Sequence, residues 1–138
     1  MKPRKRIRRQ SKQPMPLLKR KTWAEFSQYV RRKNADFYGI AQCITCDTKG
    51  HWKDMNAGHY EHGKLDFDEM NVNVQCVRCN KWLHGNLGNY NLKLIEKYGI
   101  DIVKDLKARA KMAVVEKYSR QDLEDIYLKY KTLNEKFQ

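Results

Sequence analysis

No apolar run in this chain approaches the ~18 consecutive residues that a membrane-spanning helix needs. The only apolar cluster near the start, Met15 to Leu18, is too short for the core of a secretory signal. Met1 to Arg20 also lacks the amphipathic repeat of a helix that lies on a lipid surface. These absences exclude a membrane partner and point to an intracellular, cytoplasmic protein, in which thiols stay reduced. Apolar residues make up 41% of the 138 positions and mean hydropathy is negative, so the core must be small. Small cores are where a structural metal matters. One ordinary domain fits this length, and no internal repeat is present.

Acidic residues are nearly missing from the first quarter. Met1 to Lys33 holds thirteen Lys or Arg against a single acid, Glu25, whereas the remainder is almost balanced at sixteen against fifteen. The formal net charge of +13 therefore belongs to the N-terminal segment. Such a segment suits a polyanion, nucleic acid above all. A solvated tail or a localisation signal is the plainer alternative. Arg4, Lys5, Arg6, Arg8 and Arg9, with Lys81 further on, are the candidate DNA-contacting cations.

Residues 1–21 read as a disordered basic arm, and 22–138 as a single ordered domain. Thr22 and Glu25 form a capping-box pair, and Trp23, Phe26 and Val30 recur at helical spacing to about Ala35. From Ile40 to Asn73 there is no sustained helical period, which suits two small strands and their loops. A short helix is predicted over Cys76 to Leu83. Further helices carry Tyr90, Leu94, Ile95 and Tyr98, capped by Gly99, and Ile102, Val103 and Leu106. Ser119 caps a last helix with the stripe Leu123, Ile126, Tyr127, Tyr130 and Leu133. The fold class is α+β: a small zinc-stapled ββα-metal, HNH-like centre, flanked by an N-terminal helix and C-terminal helices.

Cysteine is sparse too, but its four residues are paired. Cys43 and Cys46 form one Cys-x-x-Cys knuckle, Cys76 and Cys79 another. Two knuckles supply the four thiolates of a closed structural Zn²⁺ site, one ion per chain. A redox pair is disfavoured because neither knuckle sits in a βαβ pattern, and two disulfides because no secretion signal is seen. The gap between knuckles exceeds the usual ~15–20 residues. The insertion holds most of the remaining chemistry.

His59 lies in that insertion, and Asn80 and His84 follow the second knuckle four residues apart. On a short helix those two share a face and can hold one Mg²⁺ or Mn²⁺. With His59 on the preceding strand, this is a nuclease layout. A neutral imidazole takes the proton of an attacking water, and the metal polarises the phosphate. Taken singly, His59 could be a structural histidine, Asn80 a cap and His84 a solvated helix end. Asn71 reads as structural support that bridges backbone, His51 and His62 as inessential, and Trp52 and Trp82 as packing or base-stacking.

These residues resemble the NinG (Rap) recombination-endonuclease family of lambdoid bacteriophages. The shared signature is Cys43-Ile44-Thr45-Cys46, Ala57-Gly58-His59-Tyr60, Leu65, Phe67, Asn71, Gln75-Cys76, Cys79-Asn80, Gly85-Asn86-Leu87, Tyr90 and Gly99. More distantly the centre is similar to the HNH group and to phage endonuclease VII. The resemblance implies an endonuclease that cuts branched recombination intermediates: D-loops, flaps or Holliday junctions. It implies His59 as general base, Asn80 with His84 as the catalytic metal pair, and host cytoplasm as the location. Many HNH-type sites carry a ligand just before the catalytic His, where Gly58 stands here; Asn56, Asp54 or water would then complete the shell. A sequence-specific HNH nuclease and a silent zinc DNA-binding module are the competing readings. A homodimer and a recombinase partner are compatible with the sequence and not required by it.

Overall fold

The computed structural model describes residues 13–63, 65–112 and 118–137. The expected arm cations Arg4, Lys5, Arg6, Arg8 and Arg9 lie outside the described residues. Among the described residues, four helices and two small antiparallel ribbons make an α+β fold. No helix among the described residues is long and apolar enough to cross a membrane.

Helix α1 spans Met15–Arg32 and so begins before Thr22. Pro14 and Pro16 start the helix rather than prevent it: proline costs nothing in a first turn, whose N–H groups have no partner anyway. Leu18 N–H donates to Pro14 O at 3.0 Å. Thr22 is no cap. It sits in the helix interior, fully buried, with Oγ1 donating to Leu18 O at 2.8 Å. The stripe Leu18, Thr22, Phe26 and Val30 faces the core at every fourth position.

The expected two strands are four. Strand β1 (Ile40–Gln42) pairs with β2 (Lys49–His51), and β3 (Asn56–His59) pairs with β4 (Val72–Gln75). A single 3₁₀ turn, Trp52–Asp54, joins β2 to β3. The predicted helix after the second knuckle is only a wide turn over Arg78–Trp82, closed by Leu83 N–H to Arg78 O at 2.9 Å. Helices α2 (Leu87–Tyr98) and α3 (Ile100–Met112) meet at Gly99, whose φ of +92° suits a residue without a Cβ. Helix α4 (Arg120–Glu135) starts from a complete Ser119–Asp122 capping box.

The β3–β4 ribbon is sandwiched. Ala57 and Val72 join Phe26, Val30, Leu123 and Tyr130 in a core shared with α1 and α4. Leu65 and Tyr60 pack with Tyr90, Leu94, Val103 and Leu106 of α2 and α3. A third cluster, Ala41, Cys43, Met55, Val74 and Cys79, surrounds the thiols.

Candidate metal centre and the histidine pocket

The four sulfur atoms of Cys43, Cys46, Cys76 and Cys79 all lie within 4.8 Å of one another. Two turns bring them there. Asp47, with φ +64°, closes the first knuckle by donating its N–H to Cys43 O, and Cys43 N–H returns to Thr48 O. In the second, Cys79 N–H points to Cys76 Sγ at 3.4 Å and Asn86 Nδ2 to Cys79 Sγ at 3.6 Å. Burial pushes the Cys46 thiol up, but hydrogen bonds with Thr48 outweigh it and bring it down to about 6. Burial pushes Cys76 up to about 12. Four thiols this close, with N–H groups aimed at sulfur, fit a tetrahedral Zn²⁺ with no open position. Among the described residues no other group of His, Cys, Asp and Glu gathers this way.

Buried polar groups tie this centre to β3. Thr45, inside the first knuckle, accepts from Gln75 Nε2 at 3.1 Å, and the same amide donates to Gly85 O at 2.9 Å. That anchoring lays Gln75 Oε1 across Gly58: a Cβ built there would fall 1.8 Å from it. The Tyr90 hydroxyl donates to Gly58 O at 2.8 Å and accepts from Asn73 Nδ2 at 3.1 Å. Gly58 is thus required by packing.

Strand pleating then separates the predicted catalytic residues. Neighbours along a strand point to opposite faces. Gly58 faces Asn80, whose Oδ1 would be 3.0 Å from a Cβ at Gly58. His59 turns the other way, onto α1, where its ring stacks on Trp23 with centroids 4.8 Å apart and planes at 16°. His84 lies beyond the wide turn, exposed and with φ +50°, so the shared helical face with Asn80 does not form. Asn56 shares the Gly58 face by alternation, opposite Gln75, and its Nδ2 is buried without a hydrogen-bond partner. Asp54 is exposed in the 3₁₀ turn. The strand thus turns the His59 side chain away from the face that Asn56 and Asn80 share.

What surrounds His59 instead is a small charged pocket. Its Nε2 is 3.3 Å from Asp66 Oδ1 but is not aligned for a hydrogen bond with it. Asp66 Oδ2 is 3.5 Å from Lys19 Nζ, and the His62 ring lies 5.7 Å from that of His59. Burial pushes the imidazole below its ordinary value; Asp66 opposes this, and His62 and Lys19 reinforce it. Burial therefore favours the neutral imidazole, with Nε2 itself enclosed beside the Asp66 carboxylate. Asp66, Lys19 and Trp23 are the residues sequence reasoning missed here. Asp66 lay in view seven positions after His59, but only the loop's path brings it back.

Asn71 is fully buried and bridges backbone: Oδ1 accepts from Glu61 N–H at 2.8 Å, and Nδ2 donates to Glu61 O and Leu65 O. His51 Nδ1 accepts the Lys53 N–H at 3.2 Å, as a cap. Trp52 packs beneath arginine side chains, whereas Trp82 is 76% exposed beside exposed Lys81 and is not a core residue.

A helical chain with two short ribbons and a four-thiol centre able to hold zinc defines the class of protein. The chain belongs to the family described as Bacteriophage Lambda NinG protein, which matches residues 1–138. Among curated relatives it is 36% identical over 86 residues to protein ninG of Salmonella phage P22 and 33% identical over 86 residues to that of Escherichia phage lambda. Each match covers 58% of this chain and 39% of the relative, so the shared region is about two fifths of the relatives' length. No solved structure matches the chain.

Proposed function

We propose that this chain is a divalent-metal-dependent DNA endonuclease that cuts branched recombination intermediates such as D-loops, flaps and Holliday junctions, with His59 as general base. The observation that carries this is the His59 pocket: an imidazole that burial pushes towards its neutral form, held between Trp23 and Asp66 and flanked by Lys19. In this reading the ring nitrogen turned away from Asp66 takes a proton from water, and Asp66, beside Nε2, stabilises the imidazolium that results. Lys19 and the basic character of the N-terminal segment attract the phosphate backbone without reading sequence. That favours recognition of shape over recognition of a base sequence. Mg²⁺ or Mn²⁺ dependence is part of this reading, since such an ion supplies Lewis-acid charge at the phosphate. The four-thiol centre, closed to substrate, acts as scaffold for β1, β4 and the wide turn.

The turning of His59 away from the Asn80 face of β3 favours a second reading, a zinc module that binds branched DNA without cutting it. One experiment divides the two. Labelled four-way junction, flap and linear duplex are incubated with the zinc-loaded protein and Mg²⁺ or Mn²⁺, beside a folded His59→Ala variant. Metal-dependent cutting of branched DNA that His59→Ala abolishes supports the nuclease. Binding without cutting supports the silent module, and cutting of linear duplex at one defined site supports a sequence-specific enzyme.

A further inference from the structure

Two of the most exposed apolar side chains in the described protein stand side by side. Phe37 is 97% exposed and Tyr38 79%, their rings edge to face at 5.5 Å. The segment that carries them is held firmly. Asp36 Oδ1 accepts from both Tyr38 N–H and Ile40 N–H at 2.9 Å, Asp36 N–H donates to Ile40 O, and Gly39 N–H returns to Asp36 O. Gly39, at φ +78°, lies so close to the first ribbon that a Cβ would be 2.6 Å from His51 Nε2. An apolar pair locked into water by this much hydrogen bonding is costly unless something covers it.

The surroundings indicate what covers it. Gly39 O accepts the Trp52 backbone N–H at 2.9 Å, which ties the segment carrying the pair to the Trp52 backbone. Over Trp52 lie three cations: Arg32 at 4.8 Å, Arg31 at 5.3 Å and Lys53 at 5.7 Å from the ring centroid. The Asp36 carboxylate is already occupied by backbone donors, and Asp54 is the acid nearest in sequence on the ribbon side. Aromatic faces interleaved with cations, rather than aliphatic side chains, match the bases and phosphates of a single strand.

We propose that Phe37 and Tyr38, backed by Trp52, Arg31, Arg32 and Lys53, form a stacking platform for unpaired bases of a branched DNA substrate. This rests on the reading of the chain as a DNA-binding protein and adds to it how a branch is told from a plain duplex. Helix α1 links the platform to the His59 pocket: Trp23 stacks on His59, and Arg32, nine residues later on the other side of the helix, covers Trp52.

The test uses the full zinc-loaded chain without added divalent metal, so that binding is read apart from cutting. Fluorescence anisotropy would give affinities for a single strand, a flap and a blunt duplex, the first two carrying 2-aminopurine in the unpaired segment. The Phe37→Ala/Tyr38→Ala variant should lose about ten-fold in affinity for each base that loses its ring. It should also lose the change in 2-aminopurine emission on binding, keep its duplex affinity, and be restored by Phe37→Trp/Tyr38→Trp. Unchanged single-strand and flap affinity would overturn the platform and leave these rings to a protein partner. An equal loss on blunt duplex would overturn it too. Wild-type protein that stacks on flaps yet never cuts them would uphold the platform and sink the nuclease reading alone.

Discussion

Replacing Gly58 with alanine adds one methyl group to a position whose backbone is not in the left-handed region, so the backbone itself tolerates the change. The cost is steric and can be traced. The new Cβ would fall 1.8 Å from Gln75 Oε1, 2.7 Å from its Cδ and 3.0 Å from Asn80 Oδ1. Gln75 cannot swing aside cheaply, because it is fully buried and donates to Thr45 Oγ1 and Gly85 O. Overpacking costs ~1–3 kcal/mol. Breaking those bonds leaves buried acceptors unpaired at ~1–3 kcal/mol each. A total of about 3–9 kcal/mol is a large share of the ~5–15 kcal/mol that holds a domain together. Urea unfolding of the zinc-loaded protein, followed by circular dichroism, would measure it. Gln75→Ala should be destabilised as well, but adding Gly58→Ala to it should cost much less than Gly58→Ala alone, with a coupling of ~1–3 kcal/mol. A Gly58→Ala protein within about 0.5 kcal/mol of wild type, or a strictly additive pair, would refute the reasoning.

Zinc should be present at one ion per chain, and its removal by a chelator should unfold the ribbons, since structural zinc contributes ~10–16 kcal/mol in apparent binding energy. Elemental analysis and circular dichroism check this, and stoichiometric disulfides in the native protein would rule it out. The His59 pocket should leave a trace in stability against pH. Its folded imidazole titrates below the ordinary value of 6.5, so the unfolded chain binds more protons as pH falls through and below that value. Stability should therefore drop in that window, and a folded His59→Gln variant should show a shallower drop in melting temperature. An identical slope would mean the imidazole is not buried as described. Asn71→Ala should lose ~2–4 kcal/mol, because three hydrogen bonds to backbone disappear and leave Glu61 and Leu65 groups unpaired. Thermal unfolding measures that loss, and a near-neutral change would show that water replaces the amide.

The thiol centre and the last helix were legible because their chemistry is local. Cys-x-x-Cys fixes two ligands within one turn, and Ser119 with Asp122 caps a helix whatever lies around it. The start of α1 was not legible, because Thr22-x-x-Glu25 imitates a cap in mid-helix. There the threonine hydroxyl turns back to Leu18 O and tertiary packing against α4 decides its role. Three-residue strands such as Ile40–Gln42 are too short to show a period of two, so the second ribbon went unseen. The histidine site failed to assemble as expected for a related reason. Spacing along the chain places Asn80 and His84 on one helical face only if the turn stays helical. It also places His59 beside them only if the strand presents that side. One position of pleat sends Gly58 to Asn80 and His59 to Trp23 instead, and the neighbour His59 acquires is Asp66. If this chain cuts DNA, the groups that complete the reaction are therefore to be sought on the α1 side of the ribbon, around Asp66 and Lys19. Asp66→Asn, made beside Asn80→Ala in the cleavage assay, would tell the two faces apart. Loss of cutting with Asp66→Asn alone supports the α1 face, and loss with Asn80→Ala alone returns the chemistry to the Gly58 face.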